Sequence, residues 1–417
     1  MAQYFLFTDD YPFSADFDLL EFVADDFVCL VSRRPDIVVT EKQRSCLDLV
    51  IKLDSFTEAE VVKAIDRNVV VERGAVALSH DDFIYREIAA AVQYYGMKGM
   101  TLNGVLPFLD KAEAKRLLLL ECISFPRYHL LDRKTRTLSA PETTATLPIS
   151  NLDFPVFVKP LHGAGAEHAS KIDTADEFNA WLECGQLPDR FEIDEFIGDA
   201  TLFHCELLID GHQISPIQVC EYCYPCADFA KGRPVGSFTM DMASDSTAQH
   251  IAEFAQRSLK AMARHVTLPN GVVHLEAFRR ASAEILFLEA QLRPPGANAK
   301  QLYSLRYGLD LEAIHLQLQM GRAVETPVAA GPYAAWIYFP TRNGTISALE
   351  ALPALRSLVV QCDWRVEVGQ KIKLPNSILD AAGRGVVALS VVISNNDIDQ
   401  LREDFLQLTE FEPLLLA

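Results

Sequence analysis

Basic residues are scarce in this chain. Thirty-eight Lys and Arg stand against 57 Asp and Glu among 417 residues, a formal net charge of −19. So acidic a surface repels phosphate backbones and anionic lipid, which argues against nucleic-acid and membrane partners and leaves room only for a local basic pocket that takes a small anion. Long apolar runs are missing as well, since no window approaches the roughly 18 uninterrupted apolar residues of a membrane span. The opening stretch MAQYFLFTDDYPFSADFDLLEF has no basic leader and carries acids through its apolar part, unlike a signal peptide. The nine cysteines are odd in number and scattered, which fits reduced thiols in a cytoplasmic protein. Glycine fingerprints are absent too: no GxGxxG follows the first apolar run and no GxxxxGK[ST] occurs, so a dinucleotide fold and a P-loop are not supported. The ten histidines show no HxxxH spacing.

Hydrophobic residues make up 49% and charged residues 23%, the composition of a folded globular chain. At about 150 residues per domain, this length predicts two or three. Short apolar runs (Tyr4–Phe7, Phe27–Val31, Val69–Val71, Ala75–Leu78) alternate with amphipathic stretches such as 83–95, which predicts a small α/β layer with a parallel sheet. Helices are expected over 110–120, 247–264, 309–320 and 398–408. Strands are expected over 126–131, 334–339 and 386–393 and at Val359-Val360. The polar stretch 132–150 reads as turn and loop. The expected units are 1–105, 106–325 (divided near 190/191) and 326–417.

The chemistry concentrates in GVVHLEAFRRASAEILFLEAQLRPPGAN, residues 271–298. With strand periodicity, His274 and Glu276 project together, Glu289, Gln291 and Arg293 share one face, and Leu288, Ala290 and Leu292 share the other. A hairpin closing at 282 or 283 sets Glu276 opposite Glu289. Two facing carboxylates with an amide nearby suit a hard cation such as Mg²⁺, which takes oxygen ligands and is commonly shared with nucleotide phosphates. Taken alone, the pair equally suits a solvated face whose acids meet Arg279 or Arg293. Upstream, FPVFVKP ends an apolar strand in Lys159 just before a glycine loop, Gly163-Ala-Gly165-Ala166, an arrangement that suits phosphate oxygens. Between these segments, Asp194-Glu195-Phe196-Ile197 precedes a turn and a new strand carrying His204 and Glu206, and could offer main-chain groups to a purine edge.

In this order and spacing the segments resemble the ATP-grasp superfamily of carboxylate–amine and carboxylate–thiol ligases, over most of the chain. The resemblance implies a three-domain ATP-grasp fold: an N-terminal α/β domain, central ATP-clamping α+β subdomains and a C-terminal α+β unit. It implies Lys111 and Lys159 as nucleotide lysines, Gly163, Gly165 and Ala166 as the phosphate loop, and Asp194, Glu195, Phe196 and Ile197 as the adenine hinge. His204 and Glu206 fall near ribose or adenine. Glu276, Glu289 and Gln291 are the implied ligands of two Mg²⁺ ions, with Mn²⁺ as a substitute. Arg293 is implied as the catalytic arginine that stabilises the transferred phosphoryl group, and Gly296 and Asn298 as part of the loop that completes the substrate pocket. Lys231-Gly-Arg-Pro-Val-Gly236-Ser237, Tyr333-Ala-Ala-Trp-Ile-Tyr-Phe339, the Gly369 turn and Gly383-Arg-Gly385 look like the bacterial L-amino-acid ligases, which join two amino acids into a dipeptide.

Three positions depart from that pattern. Gln291 stands where the family usually has Asn, no Ser follows the second glycine of the loop, and His80 stands where related ligases often carry an acid. Glu221 and His274 are further candidates for substrate contact, although His274 also reads as a packing residue. The implied reaction makes an acyl phosphate from ATP and couples it to an amine. Its partners are then small molecules, amino acids above all, and a homodimer is expected on frequency alone. Alternatives are a ligase for another carboxylate, a biotin-carboxylase-like activity, or a nucleotide-binding chain without catalysis. Cys220, Cys223 and Cys226 have a CxxCxxC spacing that lacks a nearby fourth ligand, so a metal cluster is not expected there.

Overall fold

The computed structural model describes residues 2–9, 11–140, 146–163, 168–185, 187–325, 327–374 and 387–417. The predicted phosphate-loop residues Gly165 and Ala166, and Gly383 and Gly385, lie outside the described residues.

The N-terminal apolar runs form a four-stranded parallel sheet, β1 (Gln3–Phe7), β2 (Phe27–Ser32), β3 (Leu49–Lys52) and β4 (Val76–Leu78), in the order β3-β2-β1-β4. Strand β3 was not anticipated. The expected run Val69–Val71 is not a strand; it follows directly on the helix Glu58–Asn68, whose last turn takes the amide of Val69. The helix Tyr85–Tyr95 buries Ile88, Ala91 and Val92 as its periodicity predicts, and ends at Gly96 in the left-handed region.

The second sheet is antiparallel: β5 (Tyr128–Asp132), β6 (Thr137–Ser139), β7 (Thr146–Leu147), β8 (Val156–Pro160), β9 (Ser170–Ile172) and β10 (Arg190–Glu195), ordered β7-β6-β5-β10-β8-β9. Strands β6 and β7 lie within the stretch expected to be loop. They are short, two and three residues at the sheet's outer edge, too brief to set up a periodic pattern. One face of this sheet buries Val156, Val158, Phe191 and Ile193 under Phe178 and Trp181 of the helix Ala175–Leu182. By alternation, Phe157, Lys159, Glu192 and Asp194 point the other way.

The largest sheet has eight strands: β11 (Ala200–Asp210), β12 (Gln213–Tyr222), β13 (Val235–Thr239), β14 (Gly271–Arg280), β15 (Ile285–Gln291), β16 (Tyr333–Pro340), β18 (Leu358–Trp364) and β20 (Val387–Asn395). Its order is β15-β14-β11-β12-β13-β16-β20-β18, so strands on both sides of residue 325 belong to one continuous sheet. One face packs Phe203, Leu207, Leu275 and Phe287 against the amphipathic helix Ser246–Ala263. The helices Ala299–Tyr307, absent from the sequence expectation, and Leu311–Gln319 lie along its other face. A small sheet of β17 (Gly344–Leu349), β19 (Lys371–Ile372) and β21 (Leu414–Leu416) completes the chain. Among the described residues no helix is long and apolar enough to cross a membrane.

Candidate active site

The hairpin β14–β15 has the predicted register, with Glu276 opposite Glu289 and His274 opposite Gln291. A bulge follows Glu276, so Ala277 pairs with Phe287 and Leu288 is the extra residue. The bulge corrects the simple alternation: Leu288 and Glu289 both face the cavity beside the hairpin, while Ala290 and Leu292 stay in the core. That cavity holds about 520 Å³, and all three parts of the site open on it. The second sheet supplies Phe157, Lys159, Asp194 and Glu195 and the following residues Phe196 and Ile197. The large sheet supplies Leu202, Tyr222, His274, Glu276, Glu289, Gln291, Trp336 and Tyr338. Lys111, Gly163, Arg293 and Gly296 complete the lining among the predicted residues.

Lys111 opens the helix Lys111–Leu120, where Asp110 caps the amides of Ala112 and Glu113. Its Nζ donates to the Gly163 carbonyl at 2.9 Å and lies 3.4 Å from Glu289 Oε2. One turn further, Lys115 is fully buried and lies 2.9 Å from Glu192 and 2.6 Å from Asp194, over the Tyr128 ring. Lys159 meets the same two acids at 3.0 and 2.9 Å without an aligned hydrogen bond, which leaves donors on its ammonium. Burial opposes its charge, yet Asp194, Glu192 and Glu289 hold the Lys159 ammonium above its ordinary range. Burial pushes Asp194 up, reinforced by Glu192, whereas the two lysines overcome burial and hold Glu192 at about 2. Lys115 and Glu192 were missed. The signals were there: Lys115 is four residues after Lys111, and Phe-Glu-Ile-Asp alternates strictly along β10.

Asp194 therefore faces this ion quartet. Of the hinge residues after it, the amides of Glu195 and Phe196 bond the Arg127 and Pro155 carbonyls, while Ile197's amide has no partner among the described residues. His204 and Glu206 do not line the cavity. Both are fully buried behind His274, because Tyr222, His274 and Trp336 cover their side of the sheet. Glu206 accepts from His204 at 2.9 Å and from His274 at 2.6 Å, and Ser237 bridges His204 and Trp336. Burial would raise the Glu206 carboxyl, but the two imidazoles hold it at about 2. His274 is pulled down by burial and lifted further by Glu206 and Glu276, to about 9.

Glu276 accepts from Tyr222 at 2.9 Å and lies 3.4 Å from His274, both through Oε1, leaving Oε2 toward the cavity. Among the described residues Glu289 has only the long contacts to Lys111 and to Gln291 Nε2 (3.5 Å). The two carboxylates fit a shared hard cation. The Gln291 carbonyl oxygen instead accepts from Arg293, whose Nε donates to Asp82 at 3.0 Å. Two expected substrate residues do not line the cavity. Glu221 points away from Tyr222 by strand alternation and lies 3.4 Å from Arg402, and the Asn298 amide is engaged by Ser390 and Tyr338. The three spaced cysteines do not converge: Cys220 lies near Tyr303, Cys223 near the Pro234 carbonyl, and Cys226 lines the cavity. His204, Glu206 and Cys220 do lie within 4.8 Å of one another, but the acid and imidazole are spent on each other and burial pushes the Cys220 thiol up.

The fold recurs in solved proteins. An L-amino acid ligase from Bacillus licheniformis superposes with a TM-score of 0.69 at 12% identity, covering 100% of this chain and 99% of that one. The chain has the ATP-grasp fold. A carboxyaminoimidazole ribonucleotide synthase from Aspergillus clavatus, complexed with ATP, also matches, with a TM-score of 0.67 at 12% identity over 98% of this chain and 97% of that one. Among curated proteins, an L-arginine-specific L-amino acid ligase from Bacillus subtilis is 24% identical over 262 residues. That match spans 61% of this chain and 60% of the relative's own length. No family model matches. The chain shares its fold with these enzymes and resembles the L-amino acid ligases among them.

Proposed function

We propose that the chain is an ATP- and Mg²⁺-dependent ligase that activates a carboxylate as an acyl phosphate and couples it to an amine, joining two L-amino acids into a dipeptide with release of ADP and phosphate. One observation carries the reading. In a chain of net charge −19, Lys111, Lys159 and Arg293 converge on one cavity with the facing carboxylates Glu276 and Glu289. Phosphoryl transfer demands positioning and charge neutralisation of this kind more than covalent help.

The apolar wall of Ile197, Leu202, Phe278 and Leu288 suits a purine, and the Ile197 amide is free to donate to its edge. The lysines then reach the phosphates. Glu276 and Glu289 would hold magnesium, which when bound offsets the charge on the phosphate oxygens. A substrate carboxylate oxygen attacks the γ-phosphorus and ADP leaves. The amine of the second substrate then attacks the acyl carbon, and phosphate leaves with the pair of electrons from the C–O bond. Arg293, oriented by Asp82 and Gln291, is placed to stabilise the oxyanion of that step.

Pools of the twenty L-amino acids with ATP and Mg²⁺ provide the test, read as phosphate release with mass spectrometry of products. Amino-acid-dependent release with a product mass of two residues joined less water is the expected result. Glu289→Gln should retain the fold and lose at least about 100-fold in rate. Undiminished turnover in that variant overturns the assignment of Glu289, and silence of the wild type across all pools overturns the dipeptide reading.

A further inference from the structure

A second cleft, of about 110 Å³, abuts the first. Lys111, Gly163, Glu289 and Gln291 line both, so the two spaces share a wall at the place where the phosphates of a bound nucleotide would end. The opposite wall of the small cleft comes from the N-terminal unit, with Asp82, Phe83 and Arg86.

Arg86 is half-buried in the first turn of the helix Tyr85–Tyr95. The other arginines around the site are engaged: Arg293 by Asp82 and Gln291, Arg127 and Arg280 by Glu195. Arg86 makes no hydrogen bond and no ion pair among the described residues, although its charge is felt by Glu87 next in the chain. Helix stability does not explain it, because a cation in the first turn opposes the helix dipole. A guanidinium uncommitted among the described residues and facing a cleft in so acidic a chain calls for an anion that those residues do not supply, and its planar fork matches a carboxylate.

We propose that Arg86 binds the α-carboxylate of the amine-donating amino acid and seats it in the small cleft, with its amino group directed at the shared wall where the acyl phosphate is made. The proposal rests on the ligase reading above. The cleft has about one fifth of the volume of the main cavity, so it takes one small substrate while the larger cavity takes the nucleotide.

The test compares wild type, Arg86→Gln and Arg86→Lys by initial rates of phosphate release, using the amine donor found in the pool assay and its carboxamide. In Arg86→Gln the KM for the free amino acid should rise about 10–100-fold while the KM for ATP stays within about 2-fold. Arg86→Lys should fall between the two. The carboxamide, which offers no charge to pair, should have the same KM in wild type and Arg86→Gln. An unchanged KM for the free amino acid overturns the proposal, as does an equal rise for acid and amide, which would mark a packing role. If the wild type releases no phosphate with any amino acid, the ligase reading itself falls and takes this one with it. An active wild type with an indifferent Arg86→Gln refutes the Arg86 assignment alone.

Discussion

Replacing Lys115 by Met isolates the energetics of the ion quartet under the nucleotide cavity. Met nearly matches the length and apolar stem of Lys, so packing against Phe125 and Tyr128 is kept and only the charge is removed. The quartet of Lys115, Lys159, Glu192 and Asp194 is electrically balanced and has almost no access to water. The variant leaves one buried negative charge uncompensated, a change that costs about 3–5 kcal/mol. Proton uptake sets an independent ceiling. Asp194 is already pushed up by burial and by Glu192, and forcing it neutral at pH 7 from an ordinary value of 3.8 costs about 4 kcal/mol at 1.36 kcal/mol per unit. At pH 5 the same ceiling is about 1.6 kcal/mol. A carboxyl raised in the folded state favours folding more as pH falls, so the deficit of Lys115→Met should shrink on acidification. Urea unfolding at pH 7 and pH 5 reads this directly, and Asp194→Asn in the Lys115→Met background should recover most of the loss by restoring balance. A loss under about 1 kcal/mol at pH 7, or one that does not depend on pH, refutes the reasoning.

Other outcomes follow from single contacts. His315 is fully buried; its Nδ1 accepts from the Val272 amide and its Nε2 faces the Ser79 carbonyl, and burial holds its pKa near 4. Its contribution is present above pH 6.5 and lost between 6.5 and about 4, up to about 3 kcal/mol. His315→Gln should flatten the stability profile in that window, and an unchanged slope argues against it. In Gly236→Ala the new Cβ would sit 2.3 Å from the Trp336 carbonyl oxygen, forcing β13 and β16 apart. A loss of about 1–3 kcal/mol in thermal or urea unfolding is expected, with a raised KM for ATP because Trp336 lines the cavity. Glu312 accepts from Ser14 and Ala15 across the chain and is paired with Lys300, which, with His80, holds its carboxyl at about 2 against burial. Glu312→Gln should loosen the N-terminal sheet at neutral pH, seen as faster hydrogen exchange in β1–β4, whereas unchanged exchange would assign the cluster no fastening role.

The hairpin was legible because its evidence is local: the Arg280–Glu284 turn sets the pairing to within one residue, and the bulge after Glu276 then brings Glu289 opposite it. The helix Lys111–Leu120 was legible from its cap and its apolar period. The quartet was not, since Lys115 and Glu192 lie 77 residues apart and meet only after the helix docks on the second sheet. The resemblance set His204 and Glu206 near ribose or adenine, yet it could not tell lining from backing, because Tyr222, His274 and Trp336, which cover them, come from other strands. The bulge at Leu288 is invisible to a period of two, and the brief strands β6 and β7 carry too few residues to have one. Arg86 is one polar residue among others on an amphipathic helix, and its distinction appears only when its lack of a partner among the described residues can be seen.

The place of β16 in the large sheet has a consequence for synthesis. Until residues 333–340 have emerged, β13 is an unpaired edge, and the Trp336 and Tyr338 wall of the cavity does not exist. A nascent chain truncated after Arg293 therefore carries Lys111, Lys159, Glu276, Glu289 and Arg293 but presents an open strand beside them, the kind of edge that recruits a neighbouring chain. Nucleotide retention by arrested chains of increasing length should switch on not when the last charged residue appears but about fifty residues later, once the strand that closes the pocket has joined the sheet.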